Sequence, residues 1–228
     1  MMSMRCGIGP AVAAATVLVG AIGVRSHAEM VLVELQGIVE FNQVGTPPVG
    51  ELSAGTEVTL SFLLDSDLFV DSADYPTRGY VIDSSTFALT GGETSIGLAS
   101  PYPAGATPFF VLRDNDPAVD GFFIADSVDF PIGVDLDADG IFGTFSQDFG
   151  VSYVGDTLGS LDLLDAVGTY GFDGLKGFNW TIDDGPFSPV SILFDSLEIS
   201  VVPAPATLIV GGVWSLLTRS RRRGASAA

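Results

Sequence analysis

Glu57-Val58-Thr59-Leu60-Ser61-Phe62-Leu63 alternates apolar residues with hydroxyl or charged ones. A period of two puts Val58, Leu60 and Phe62 on one face and Thr59 and Ser61 on the other, the pattern of a half-buried strand. Similar short segments recur on both sides of it. Strands are predicted at Val31–Phe41, Gly79–Ile82, Thr86–Leu89, Pro108–Arg113, Gly121–Asp126, Phe149–Val154, Phe178–Ile182 and Ser191–Val201. Gly91-Gly92, Asp114-Asn115-Asp116-Pro117, Asp139-Gly140 and Asp183-Asp184-Gly185-Pro186 separate them as turns. Gly and Pro supply 28 and 13 of the 228 residues. Short strands with this punctuation predict an all-β domain, an antiparallel β-sandwich or jelly-roll-like fold. One stretch reads differently. Asp156 can cap a turn carrying Leu158, Leu161, Leu164 and Val167, and Gly159 and Gly168 confine it to a short helix or an ordered loop. Without an internal repeat or a polar linker, a single domain is expected over residues 29–201.

The formal charge is −19, but it is unevenly spread. Between Glu29 and Val202 only Arg78, Arg113 and Lys176 oppose all 28 carboxylates, a balance of −25. Such a surface repels phosphate backbones and argues against nucleic acid as a partner. The single Cys6 and single His27 both lie near the N-terminus. If that terminus is removed, Ser-His-Asp triads, cysteine nucleophiles, disulfides and ordinary zinc sites go with it.

Residues 1–28 have the three parts of a secretory signal peptide: a weakly positive start to Arg5, an apolar run from Ile8 to Val24, and a small-x-small site at Ser26-His27-Ala28. Cleavage there gives a mature start at Glu29; the alternative is an uncleaved membrane anchor. At the other end, Pro203-Ala204-Pro205-Ala206-Thr207 leads into the apolar run Leu208 to Leu217, followed by Arg219, Arg221, Arg222 and Arg223. Arginines directly after an apolar segment stay cytoplasmic, which places the acidic body outside. Both ends therefore give one topology: export across the inner membrane, a membrane-anchored precursor, then the cell surface or the extracellular space.

The layout of residues 202–223, with 224–228 as a short tail, resembles the PEP-CTERM sorting signal of exported Gram-negative bacterial proteins: a Pro-x-Pro-Ala-Thr start, a short Gly-rich membrane helix and a terminal arginine cluster. Ala204 stands where the signature glutamate usually sits. The resemblance implies processing by an exosortase, a membrane transpeptidase-like enzyme, with Pro203, Ala204, Pro205 and the four arginines as the sorting motif. A plain C-terminal anchor is the alternative. Ser61-Phe62-Leu63-Leu64-Asp65, Tyr75-Pro76 followed by Ser84 to Gly92, Leu175 to Ile182 and Asp184-Gly185-Pro186 also resemble a recurrent sandwich domain found upstream of such tails; that family implies a fold but no common activity.

Asp135-Leu136-Asp137-Ala138-Asp139-Gly140 is the sharpest candidate site. Asp135, Asp137 and Asp139 match the first half of a calcium (Ca2+) loop, in which carboxylate oxygens converge on one hard cation. The second half departs, with Ser146 where a bidentate glutamate is expected. The other reading is an acidic hairpin turn between strands ending near Leu136 and starting at Ile141. Asp65, Asp67, Asp71 and Asp74 read as a solvated loop. Among the aromatics, Trp180 is the first candidate for a sugar-stacking platform, although sixteen phenylalanines against two tryptophans fit core filling better. There is no nucleophile elbow and no phosphate-binding glycine loop. The expected function is an exported, non-enzymatic surface or extracellular-matrix protein, with an exosortase, the membrane and extracellular polysaccharide as partners. Two alternatives stand beside it: a weakly calcium-dependent carbohydrate-binding module and an acidic glycosidase.

Overall fold

In the computed structural model, which describes residues 28–115 and 119–203, the chain forms twelve strands and one turn of 3-10 helix at Val49–Glu51. The strands are β1 (Met30–Asn42), β2 (Glu57–Asp71), β3 (Thr77–Ile82), β4 (Ala88–Gly91), β5 (Thr94–Ile96), β6 (Phe109–Asn115), β7 (Val119–Ala125), β8 (Val134–Asp139), β9 (Thr144–Val154), β10 (Gly168–Gly171), β11 (Leu175–Asp184) and β12 (Phe187–Val201). The signal-peptide core, the apolar C-terminal run and the arginine cluster lie outside the described residues.

All strands join one antiparallel sheet. The path β1-β12-β11-β9-β7-β6-β3-β2 returns to its start, because β1 pairs with β2 as well as with β12. The all-β antiparallel expectation is met, but by one continuous sheet rather than by separately bonded ones. Length makes this possible. Both β2 and β12 have 15 residues and change partners along their course. β2 pairs with β1 and β4 through residues 57–65, then with β3 near its end. β12 pairs with β11 at its start and with β1 and β10 farther on.

Alternation decides which face turns inward. Val58, Leu60 and Phe62 are all buried, as their spacing predicts. On β9, Phe145, Phe149, Val151 and Tyr153 point inward while Ser146, Asp148, Gly150 and Ser152 point outward. Aromatic pairs cross the interior: Phe62 meets Phe110 at 5.6 Å and Phe149 meets Phe194 at 5.9 Å between ring centroids. Fully burying each such side chain contributes roughly 1.5–3 kcal/mol.

The segment from Asp156 to Val167 is an ordered loop, not a helix. Leu158, Leu163 and Ala166 are buried against the core, and side chains from the sheet satisfy its backbone. Asp120, itself fully buried, accepts from the Thr157 and Leu158 amides at 2.6 and 2.9 Å. The Tyr80 hydroxyl donates to the Leu161 carbonyl at 2.8 Å and accepts from the Leu163 amide at 2.9 Å. These bonds replace the i to i−4 ladder that a helix would need.

The start of β1 and the residue after β12 lie side by side, since the Val202 amide donates to the Met30 carbonyl at 2.8 Å.

Candidate functional site

Outward-facing residues of a half-buried sheet are usually polar. Here part of the outer face is apolar. Phe109 and Val111 of β6 and Phe123 and Ala125 of β7 form a second cluster with Val81 and Val128. The connection from Asp126 to Gly133 straps over it. Thr77 Oγ1 donates to the Val128 carbonyl at 2.7 Å, and Ser72 Oγ donates to Asp129 Oδ1 at 2.6 Å. The strap then turns Phe130 against Tyr75, edge to face at 5.9 Å, and both rings stay about half exposed.

Beside this strap lies a cleft of about 420 Å³, within the range of small-ligand sites. Tyr75, Phe130 and Pro131 wall one side, and Gly177-Phe178-Asn179 of β11 border the other. Strand register builds its floor. Thr77, Arg113, Gly121, Ser152 and Gly177 are successive cross-strand partners on β3, β6, β7, β9 and β11. The next row is Gly79, Val111, Phe123, Gly150 and Asn179. Of these, Gly121, Gly150 and Gly177 line the cleft and leave its floor bare where other strands would carry side chains, whereas Gly79 is covered by Val128 and Phe109.

The glycines are not equivalent. A Cβ on Gly121 would collide with the Val151 carbonyl, so close backbone approach explains that residue. A Cβ on Gly150 would meet only Phe123 Cβ at 3.6 Å, and one on Gly177 would meet nothing within 4 Å. Neither has a left-handed φ. A glycine in a strand interior destabilises by about 0.5–1 kcal/mol relative to alanine. Packing does not require that cost at Gly150 or Gly177, whereas an open floor does.

Next to the cleft, the carboxyl groups of Asp148 and Asp183 lie side by side, and Asn179 donates to Asp148 at 3.4 Å. Burial first, then Asp183, pushes the Asp148 carboxyl up to about 7, while the Gly133 amide donating at 2.7 Å pulls it back.

The candidate calcium-loop residues lie on strand β8. Val134, Leu136 and Ala138 of β8 turn inward, so Asp135, Asp137 and Asp139 line the opposite face at alternate positions. The register with β9 shifts between Asp135 and Asp139, so the three stand along an irregular strand edge rather than in a tight turn. Among the described residues no group of three or more His, Cys, Asp and Glu is placed to hold a metal ion. The hairpin turn falls at Gly140 to Gly143, and β8 continues three residues past the expected end at Leu136. Asp184, read from sequence as a turn former, caps that hairpin: it is buried and accepts from the Ile141 and Phe142 amides at 2.9 and 3.0 Å.

Trp180 is core, 6 % exposed, stacked between Phe178 at 4.5 Å and Phe172 at 5.4 Å. Sequence reasoning did not find Tyr75, Phe130 or Arg113 as site residues, because they stand on a hairpin tip, a strap and a strand end with no shared pattern. The available signal was Gly121, Gly150 and Gly177, three glycines interrupting strand patterns. Of the sorting residues, only Pro203 is among the described ones.

Fold and cleft together define an antiparallel all-β protein with an open, aromatic-walled cleft on the outside of its sheet. Beyond that class, no protein-family model, curated protein or solved structure matches the chain.

Proposed function

We propose that this is an exported, non-enzymatic surface or extracellular-matrix protein whose jelly-roll-like body holds a polysaccharide strand in the outer cleft. The bare floor at Gly150 and Gly177 carries the reading, because it leaves room across β7, β9 and β11 that packing does not demand. Aromatic rings with a polar rim suit sugar rings, which present apolar C–H faces and hydroxyl edges. Tyr75 and Phe130 supply the rings; Ser152 and Asn179 supply hydrogen-bonding groups.

Export rests on the two ends of the sequence, with an exosortase acting on Pro203 to Arg223. The adjacency of Met30 and Val202 supports one membrane-facing end, since a membrane segment following Val202 leaves from the side where the mature chain begins. The non-catalytic reading rests on the sequence, which has no nucleophile elbow and no histidine or cysteine between Glu29 and Val202.

Thermophoresis of the full chain in mild detergent against a panel of neutral and acidic polysaccharides tests the cleft. Binding by the native chain and its loss in Gly177→Phe, with an unchanged melting temperature, is the expected result. A chain that binds none of the panel, or a filled variant that binds as well as the native one, overturns the reading.

A further inference from the structure

We propose that the cleft selects a glycan bearing carboxylates, a polyuronate, and that Arg113 is the residue that recognises the acid. The inference rests on the cleft reading above and adds the chemical class of its ligand.

Three cations serve the whole body, and one is already engaged. Arg78 pairs with Asp71 through both Nε at 2.5 Å and an Nη at 3.1 Å, and lies over the Phe69 ring at 4.0 Å. Among the described residues that is the only ion pair. Arg113 therefore has no carboxylate within ion-pairing distance among those residues, in a body that carries 28 of them. It is half-buried on the outer face, and its cross-strand neighbours are Thr77 and Gly121, neither of which is charged. A partly desolvated guanidinium that meets no carboxylate among the described residues can take one from a ligand.

Placement supports the same ligand. Arg113 begins the row that continues through Gly121 and Ser152 to Gly177. Three strand spacings separate the ends, about 14 Å. A floor left bare over that length, with Arg113 at one end, fits one acid-bearing unit of an extended polymer. The guanidinium fork can hold a carboxylate through two parallel hydrogen bonds, which an ammonium cannot do. Asp129 is the one carboxylate lining the cleft, and it accepts from Ser72. The rest of the acidic body repels a polyanion at range, but at about 0.15 M salt that repulsion is screened beyond roughly 8 Å, while the Arg113 contact lies inside that distance.

The test uses oligogalacturonate and its methyl ester, which share every ring and differ in charge, titrated into the full chain at about 0.15 M salt. The acid is expected to bind about tenfold tighter or more, the scale of one charge-assisted pair. Arg113→Gln should abolish that preference while keeping the affinity for the ester. If the native chain binds acid and ester equally, the cleft reading stands and this inference alone falls. A preference that survives in a folded Arg113→Gln variant also overturns it. Binding of neither probe, with binding of a neutral glucan, sinks this inference only; binding of no glycan sinks both readings.

Discussion

Replacing the floor glycines one at a time separates what the fold needs from what the cleft needs. Gly150→Ala and Gly177→Ala add a methyl group where the nearest neighbour is at 3.6 Å and beyond 4 Å, respectively. With ordinary φ values at both positions, each change should stabilise by about 0.5–1 kcal/mol, by narrowing the unfolded ensemble and favouring extended backbone. For a domain of this size that corresponds to about 1–4 °C in melting temperature. Gly121→Ala should act in the opposite sense. Its methyl group would collide with the Val151 carbonyl, and separating β7 from β9 should cost about 1–3 kcal/mol or more. Urea titrations with an unchanged slope, read with thermal melts, measure all three. The same two stabilising variants should weaken glycan binding, because each methyl group rises into the floor. If Gly150→Ala and Gly177→Ala destabilise as much as Gly121→Ala, the glycines are structural and the argument for an open floor fails.

Three further outcomes follow from other parts of the molecule. Tyr80→Phe keeps the buried ring but strands the Leu163 amide, so it should cost about 1–3 kcal/mol; Tyr170→Phe frees only the Ala166 carbonyl and should cost about 0.5–1.5 kcal/mol. Equal urea midpoints for the two would contradict the tethering role assigned to Tyr80. The raised Asp148 means the folded state binds the proton more tightly than the unfolded one. Its contribution is therefore favourable at low pH and lost as pH rises from about 4 through about 7; Asp148→Asn should flatten the pH dependence of the melting temperature over that window, and an identical slope in both proteins would refute the pairing. Deleting Pro203 to Arg223 should release the protein from the membrane fraction, and unchanged fractionation would contradict the sorting segment.

What the sequence made legible was local. The alternation in Glu57–Leu63 set the inward face of β2, and Gly92 and Gly185 occupy turns with φ of +61° and +63°. Closure of the sheet was not legible, because it depends on β2 and β12 changing partners along their length, and pairing partners leave no trace in the period of either strand. The segment Val134 to Asp139 shows how two patterns coincide. Alternate carboxylates mark both a cation loop and the solvent face of a strand, and inward Val134, Leu136 and Ala138 decide for the strand. Asp156–Val167 has helical spacing, but Asp120 and Tyr80, far away in sequence, hold its backbone in a loop. The cleft was hidden for the same reason: Arg113, Ser152 and Phe130 meet only through register and a strap, and a glycine inside a strand says that something approaches without saying what.

The most direct test of the outer cleft is hydroxyl-radical footprinting of the full chain with and without oligogalacturonate. Tyr75 and Phe130 are exposed aromatics on one wall, while Ile141 and Phe142 are exposed at the β8–β9 hairpin, outside the cleft lining. Oxidation of Tyr75 and Phe130 should fall on adding the glycan, with Ile141 and Phe142 unchanged. Protection at the hairpin instead, or none at Tyr75 and Phe130, would contradict the assignment of this cleft as the binding site.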